Sequence, residues 1–144
     1  MKILLVEDDP FHAQVIGQAL KSEFGSNTHI HIVRTEKQFR HEYIQDWNLA
    51  LLDVMMPWTT EDDPEPYAGA PEEGYLRAGA RCYEMLRVSE ATKDVPVVFL
   101  TNLDKETVPE EAQNAYVRKS INFTPLIQKI LEVRGKRDGQ SLKK

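Results

Sequence analysis

Cysteine is almost absent from this chain: of 144 residues only Cys82 is one. A single thiol closes no internal disulfide, which points to a reducing, cytoplasmic setting and leaves the fold to its apolar core. No apolar run reaches the roughly 18 residues that span a bilayer, so no membrane span is expected. Met1-Lys2 leads directly into an apolar strand, without the pattern of a signal peptide. There is no Cys or His cluster to hold zinc. A formal net charge of −5 argues against non-specific nucleic-acid binding. One stretch lacks bases altogether. Between Val54 and Leu76 there are six acids (Glu61, Asp62, Asp63, Glu65, Glu72, Glu73) and no Lys or Arg. Against the other 17 acids, the 18 Lys and Arg leave the rest of the chain at +1. The acidity belongs to one segment.

What is present is an ordinary globular balance, 41% hydrophobic and 28% charged, in a chain the size of one domain. Short apolar runs alternate with amphipathic stretches. Strands are expected at 2–6, 29–34, 49–53, 95–100 and 115–118. Helices are expected after Asp9-Pro10, after Thr35 with Gln38, over 75–89, briefly over 105–113, and from Thr124-Pro125 to Gly135. Asp9 and Thr124 read as N-caps with proline at the first helical position; Thr35 and Gln38 read as a capping box. Inward stripes are expected from Ala13, Ile16, Leu20 and Phe24 on the first helix, and from Phe39, Tyr43 and Trp47 on the second. The third helix offers Leu76, Gly79, Tyr83 and Leu86, and the last Leu126, Ile127, Ile130 and Leu131. Val54–Gly74 has four prolines and no helical period, so a long loop is expected there. The tail 136–144 is polar and basic. Strands that are nearly all apolar and alternate with helices imply an α/β fold, a doubly wound parallel sheet covered on both faces.

Ligands of such sheets bind beyond the carboxyl ends of the strands. Those ends carry Glu7-Asp8, Asp53, Thr101 and Lys119. Three carboxylates side by side repel one another and are costly to bury. Facing one cleft, they make a hard-oxygen site suited to Mg²⁺. Asp9, next to Pro10, is assigned to capping instead. His29 and His31 share a strand face and are read as edge packing, Tyr75 and Tyr83 as packing residues, and Cys82 as an inert thiol.

The motifs "LLVEDDP", "LLDVMMP", "VVFLTN" and "YVRKS", in that order and spread over residues 2 to about 134, resemble the receiver domains of two-component response regulators. The resemblance implies a flavodoxin-like five-stranded sheet in the order 2-1-3-4-5. It implies Asp53 as phosphoacceptor, with Mg²⁺ held by Glu7, Asp8, Asp53 and the backbone carbonyl of Met55. Thr101 and Lys119 would contact the phosphoryl oxygens, and Thr101 with Tyr116 would form the switch. The expected function is a stand-alone phosphorylation switch over residues 1–135. It would take its phosphoryl group from a histidine kinase or histidine phosphotransfer protein and act on a downstream protein or in a phosphorelay. It would have no separate enzymatic substrate and no direct nucleic-acid or membrane partner, and could form a homodimer. The competing readings are a pseudo-receiver scaffold that is never phosphorylated, and a Mg²⁺-dependent aspartyl phosphatase. The phosphatase usually has a second acid two residues after its nucleophile, where this chain has Met55.

Three features depart from the pattern. Asp53 and Thr101 lie 48 residues apart, the excess falling in an acidic insertion around 58–73. That insertion is either a solvated loop or a flap that docks partners with a basic surface. Ser120 follows Lys119, where the family usually has a proline in a cis peptide bond. Only 18 residues take the chain from Thr101 to Lys119, which shortens the fourth helix.

Overall fold

The computed structural model describes residues 1–142, with side chains through residue 135. Five strands, β1 (Lys2–Val6), β2 (His29–Val33), β3 (Leu49–Leu52), β4 (Val97–Thr101) and β5 (Tyr116–Arg118), form one parallel sheet in the order β2-β1-β3-β4-β5. Four α-helices, α1 (Pro10–Phe24), α2 (Glu36–Glu42), α3 (Ala78–Val88) and α4 (Thr124–Leu142), complete the doubly wound architecture expected from the alternation. None of the described helices is long and apolar enough to cross a membrane.

The two-residue period of the strands divides the core in two. Leu4, Val6, Ala50, Leu52, Val97 and Phe99 belong to one cluster with Phe39 of α2 and Leu86 of α3. Their neighbours Ile3, Leu5, Leu49, Leu51, Val98 and Leu100 belong to the other, with Leu20 of α1 and Ile130 of α4. Three inner strands covered on both faces need apolar side chains at every position, which is why they read as unbroken runs. The edge strand β2 does not: His29 and Ile32 are exposed. His31 is half-buried, bonded to Glu42 at 2.6 Å and packed 5.5 Å from the Trp47 ring.

Several local expectations change. Asp9 caps α1 as expected, its Oδ1 accepting from the Phe11 and His12 amides, an arrangement worth about 0.5–2 kcal/mol. The Thr35–Gln38 box is only half formed. Thr35 Oγ1 accepts from the Gln38 amide at 3.0 Å, while the Gln38 side chain takes the Arg34 amide instead. Thr124 is not the N-cap of α4 but its first residue; Asn122 Oδ1 accepts its amide. Gly135 does not end that helix, which continues to Leu142, because one glycine costs a helix only about 1 kcal/mol. Residues 143–144 of the expected tail lie outside the described residues. Helix α2 stops at Glu42, so Trp47 is buried from the loop beyond it. The third helix begins as a 3-10 turn at Tyr75–Arg77, and its rotation leaves Tyr75 and Leu76 exposed rather than inward. Leu131 is also exposed. The short helix expected over 105–113 is replaced by two 3-10 turns, Lys105–Thr107 and Glu110–Ala115, since the connection is too short for an α-helix that spans the sheet. All peptide bonds among the described residues are trans, Lys119-Ser120 included.

One glycine sets how closely α3 approaches the site. A Cβ on Gly79 would lie 2.1 Å from the Asp53 carbonyl oxygen and 2.6 Å from Val54 Cα, and its amide donates to the Val54 carbonyl at 2.8 Å. A Cβ on Gly17, within α1, would meet nothing within 4 Å. Gly79→Ala should therefore destabilise the protein by about 1–3 kcal/mol or more through overpacking. Gly17→Ala should stabilise it by about 0.5–1 kcal/mol by restricting the unfolded chain. Urea unfolding of the two variants checks the opposite signs.

Candidate functional site

The polar residues at the strand ends are positioned by main-chain bonds that carry the ladder one residue past each strand. The Glu7 amide donates to Val33, that of Asp53 to Val6 at 3.2 Å, and that of Lys119 to Thr101 at 3.0 Å. Side chains that follow β1, β3 and β5 thus meet at one edge of the sheet. Lys119 Nζ lies 2.6 Å from Glu7 Oε1 and 2.7 Å from Asp53 Oδ2, bridging two buried carboxylates. Glu7 Oε2 also accepts from the Asp9 amide at 3.2 Å, and His12 Nδ1 lies 3.7 Å from Oε1. Asp53 Oδ1 has a longer contact, 3.4 Å from the Met55 amide.

Burial and charge work against each other here. Burial raises the Glu7 carboxyl above its ordinary 4.5, an effect that Lys119 only partly offsets. Burial also opposes the Lys119 ammonium, but hydrogen bonds to Asp53 and Glu7 outweigh it and raise Lys119 above 10.5. The sign follows from linkage: the stability that Lys119 contributes is complete below 10.5 and is lost as pH rises through its higher folded value.

Glu7, Asp8 and Asp53 each place a carboxylate oxygen within 4.8 Å of the others. Asp8 is exposed and makes no ion pair among the described residues, so its carboxylate faces the opening of the cleft. Three carboxylates against one ammonium leave a net charge of −2 when all are ionised, and all the donors are hard oxygens. That set fits Mg²⁺, which takes one or two carboxylates and keeps water on its remaining positions. Met55 follows Asp53 by two residues and is exposed.

Thr101 is fully buried at the end of β4, and its Oγ1 accepts from the Leu103 amide at 3.2 Å. Tyr116, half-buried at the start of β5, donates its hydroxyl to the Leu103 carbonyl at 2.7 Å. The two are therefore joined through the same residue. Leu103 was not singled out in the sequence, and nothing in its local pattern marks it.

Nor did the sequence mark a second ion cluster beside the site. Glu36, the first residue of α2, is 1% exposed. Arg81 of α3 holds it in a two-pronged pair, Nε to Oε2 at 2.8 Å and Nη2 to Oε1 at 2.7 Å. Arg40 adds a third bond at 3.0 Å, and Arg81 Nη2 reaches on to the Gly74 carbonyl at 2.7 Å. A charged residue in the first turn of a helix ordinarily reads as solvated, so only the packing of α2 against α3 shows this pair. Cys82, the neighbour of Arg81, is buried, and burial pushes its thiol up, so it is inert.

Burial opposes the Glu36 charge, yet Arg81 and Arg40 together hold its carboxyl below 4.5. Its contribution to stability is present above 4.5 and is lost as pH falls through the lowered value. Glu36→Gln should cost about 3–5 kcal/mol near neutral pH, since it leaves buried guanidinium uncompensated. The deficit should shrink as pH falls below about 4.5. Denaturant unfolding of both proteins at pH 7 and pH 3 checks this.

No protein-family model matches the chain, and no curated protein matches it in sequence. Solved structures do match in shape. The response regulator TrrA from Thermotoga maritima, in complex with Mg²⁺ and BeF, superposes with a TM-score of 0.68 at 21% identity over 92% of this chain and 97% of its own. A signal receiver domain of a two-component histidine kinase from Clostridium thermocellum gives 0.71 at 14% identity, over 92% and 96%. The receiver domain of a sensor histidine kinase from Pseudomonas aeruginosa, with magnesium coordinated in its active-site cleft, gives 0.64 at 23% identity, over 93% and 97%. With its strand order and its acids at the ends of β1 and β3, the chain has the fold of the receiver domains of two-component response regulators.

Proposed function

We propose that this protein is a Mg²⁺-dependent phosphorylation switch that accepts a phosphoryl group on Asp53. The observation that carries the reading is the Lys119 bridge, which fixes a lone nucleophilic carboxylate beside two further acids on a sheet edge. Phosphoryl transfer demands an aligned nucleophile and compensation of charge on the transferred oxygens, and little other chemistry.

With Asp53 Oδ2 held by Lys119, Oδ1 is the freer oxygen for attack, its single contact being the long one to Met55. Oδ1 would form the new bond to phosphorus as the bond from phosphorus to a donor imidazole nitrogen breaks. The electron pair leaves with that nitrogen, and Asp53 becomes a mixed anhydride. Glu7, Asp8, Asp53 and the Met55 carbonyl would hold Mg²⁺, which when bound supplies charge compensation for the transferred oxygens. Lys119 moves from the carboxylate to a phosphoryl oxygen, a short step for a flexible ammonium.

Thr101 accepts one hydrogen bond and keeps its own proton to donate. Turning toward a phosphoryl oxygen would break its bond to the Leu103 amide, and Leu103 also anchors the Tyr116 hydroxyl. Thr101 and Tyr116 are thus coupled through one residue, which makes them the switch. Such a protein changes its own state and has no separate substrate. Its donor would be a histidine kinase or histidine phosphotransfer protein and its output a further protein. The switch unit is residues 1–135 with the inserted loop.

Incubation with acetyl phosphate and Mg²⁺, followed by intact-mass measurement, should show the gain of one phosphate. Chelation of the metal should abolish the gain, and Asp53→Asn should lack it. An equal gain in Asp53→Asn would place the acceptor elsewhere. No gain in the native protein would favour a scaffold.

A further inference from the structure

The acidic insertion is a built structure. Trp58 lies at its centre: Nε1 donates to the Ala68 carbonyl at 3.1 Å, and the Arg40 guanidinium lies 5.3 Å from its ring. Lys37 reaches Asp63 at 2.6 Å, and the amides of Glu36 and Lys37 donate to the carbonyls of Pro57 and Trp58, both at 2.9 Å. Between this loop and the starts of α2 and α3 lies a cavity of about 750 Å³, within the range of ligand sites. Its walls are mainly apolar and include Met55, Trp58, Tyr67 and Tyr75; Glu36 and Arg81 are its most deeply buried ionic residues. Tyr67 is 86% and Tyr75 58% exposed, so large aromatic surface stands open beside the cavity.

Charge selects the occupant. Glu61, Asp62, Glu65 and Glu72 make no ion pair among the described residues, and neither does Asp8 at the end of the cavity nearest the acid cleft. An anionic ligand would be repelled. A simple cation would leave the apolar, aromatic part of the walls uncovered. A polypeptide carries both cationic and apolar groups. We propose that this cavity docks a basic segment of a partner protein. An apolar side chain of the segment enters between the aromatic walls. Its Lys and Arg residues lie along the acids of the loop. Asp8 and Met55 belong to the cavity wall, so the bound segment borders the acid cleft. This docking does not depend on phosphorylation of Asp53.

The test uses the full, unphosphorylated chain and an array of synthetic 12-residue peptides, each combining Leu, Phe or Trp with Lys and Arg. A matched array replaces the bases with Asp and Glu. The expected result is retention on basic peptides alone, weakened by salt. For the best binder, Kd should rise at least ten-fold in the double variant Glu61→Lys with Glu72→Lys, and also in Tyr67→Ser. Both variants should keep native thermal unfolding and small-donor phosphorylation, and Asp53→Asn should bind as the native chain does. Absence of basic binders, equal retention of acidic peptides, or unchanged Kd in both variants overturns the proposal. So does competition by arginine amide as strong as that of the peptide itself, which would make the site one for a small cation. Because Asp53→Asn is part of the comparison, failure of the phosphorylation reading and failure of the docking site give different results.

Discussion

Two carboxylates cannot be buried at neighbouring strand ends without a cation between them, and in this fold the cation is Lys119. It comes from the far side of the sheet edge, beyond β5, and reaches both Glu7 and Asp53. That requirement ties together the ends of three strands that are distant in sequence. Either carboxylate alone, left buried and unpaired, would cost several kcal/mol. The trio is therefore a structural clamp, and the same clamp holds Asp53 with one oxygen engaged and the other nearly free. A cation at the open side of the cleft would share the carboxylates with Lys119 rather than create a new site.

A second constraint holds the other side of Asp53. Gly79 lets α3 rest on the Asp53 and Val54 backbone, and two residues later Arg81 grips Glu36 and the Gly74 carbonyl. The segment just after Asp53 is therefore fixed by the same helix that closes the inserted loop. The Met56 amide, bonded to the Tyr75 carbonyl at 3.2 Å, belongs to the same junction. Loop and acid cleft share one short piece of backbone. Between β4 and β5, on the opposite flank of the site, two 3-10 turns stand in place of a helix.

The strands were legible because burial on both faces demands continuous apolar runs, and because polar residues end those runs abruptly at Glu7, Asp53, Thr101 and Lys119; their order came only from the resemblance to receiver domains. Asp9 was legible as a cap because its neighbour is proline. Other features depend on tertiary contacts that leave no local trace. Glu36 looks like a solvated helix start, and only the approach of α2 to α3 buries it. Tyr75 and Leu76 fit a helical stripe, yet a 3-10 turn rotates them outward. Thr124 and Asn122 are both good capping residues two positions apart, and composition alone does not choose between them. The loop reads as polar and unpatterned, although Trp58 organises it through a single indole bond and a cation against its ring.

On the proposed reading Glu7, Asp8 and Asp53 form one cation-binding centre, while Asp9, their neighbour in sequence, caps the helix. Side-chain carboxyl ¹³C resonances followed during a Mg²⁺ titration test it directly. Saturable shifts of Glu7, Asp8 and Asp53 with a common affinity, and an unmoved Asp9, are the predicted result. A saturable response centred on Asp9 or on the loop acids, with Asp53 and Glu7 unchanged, would contradict it.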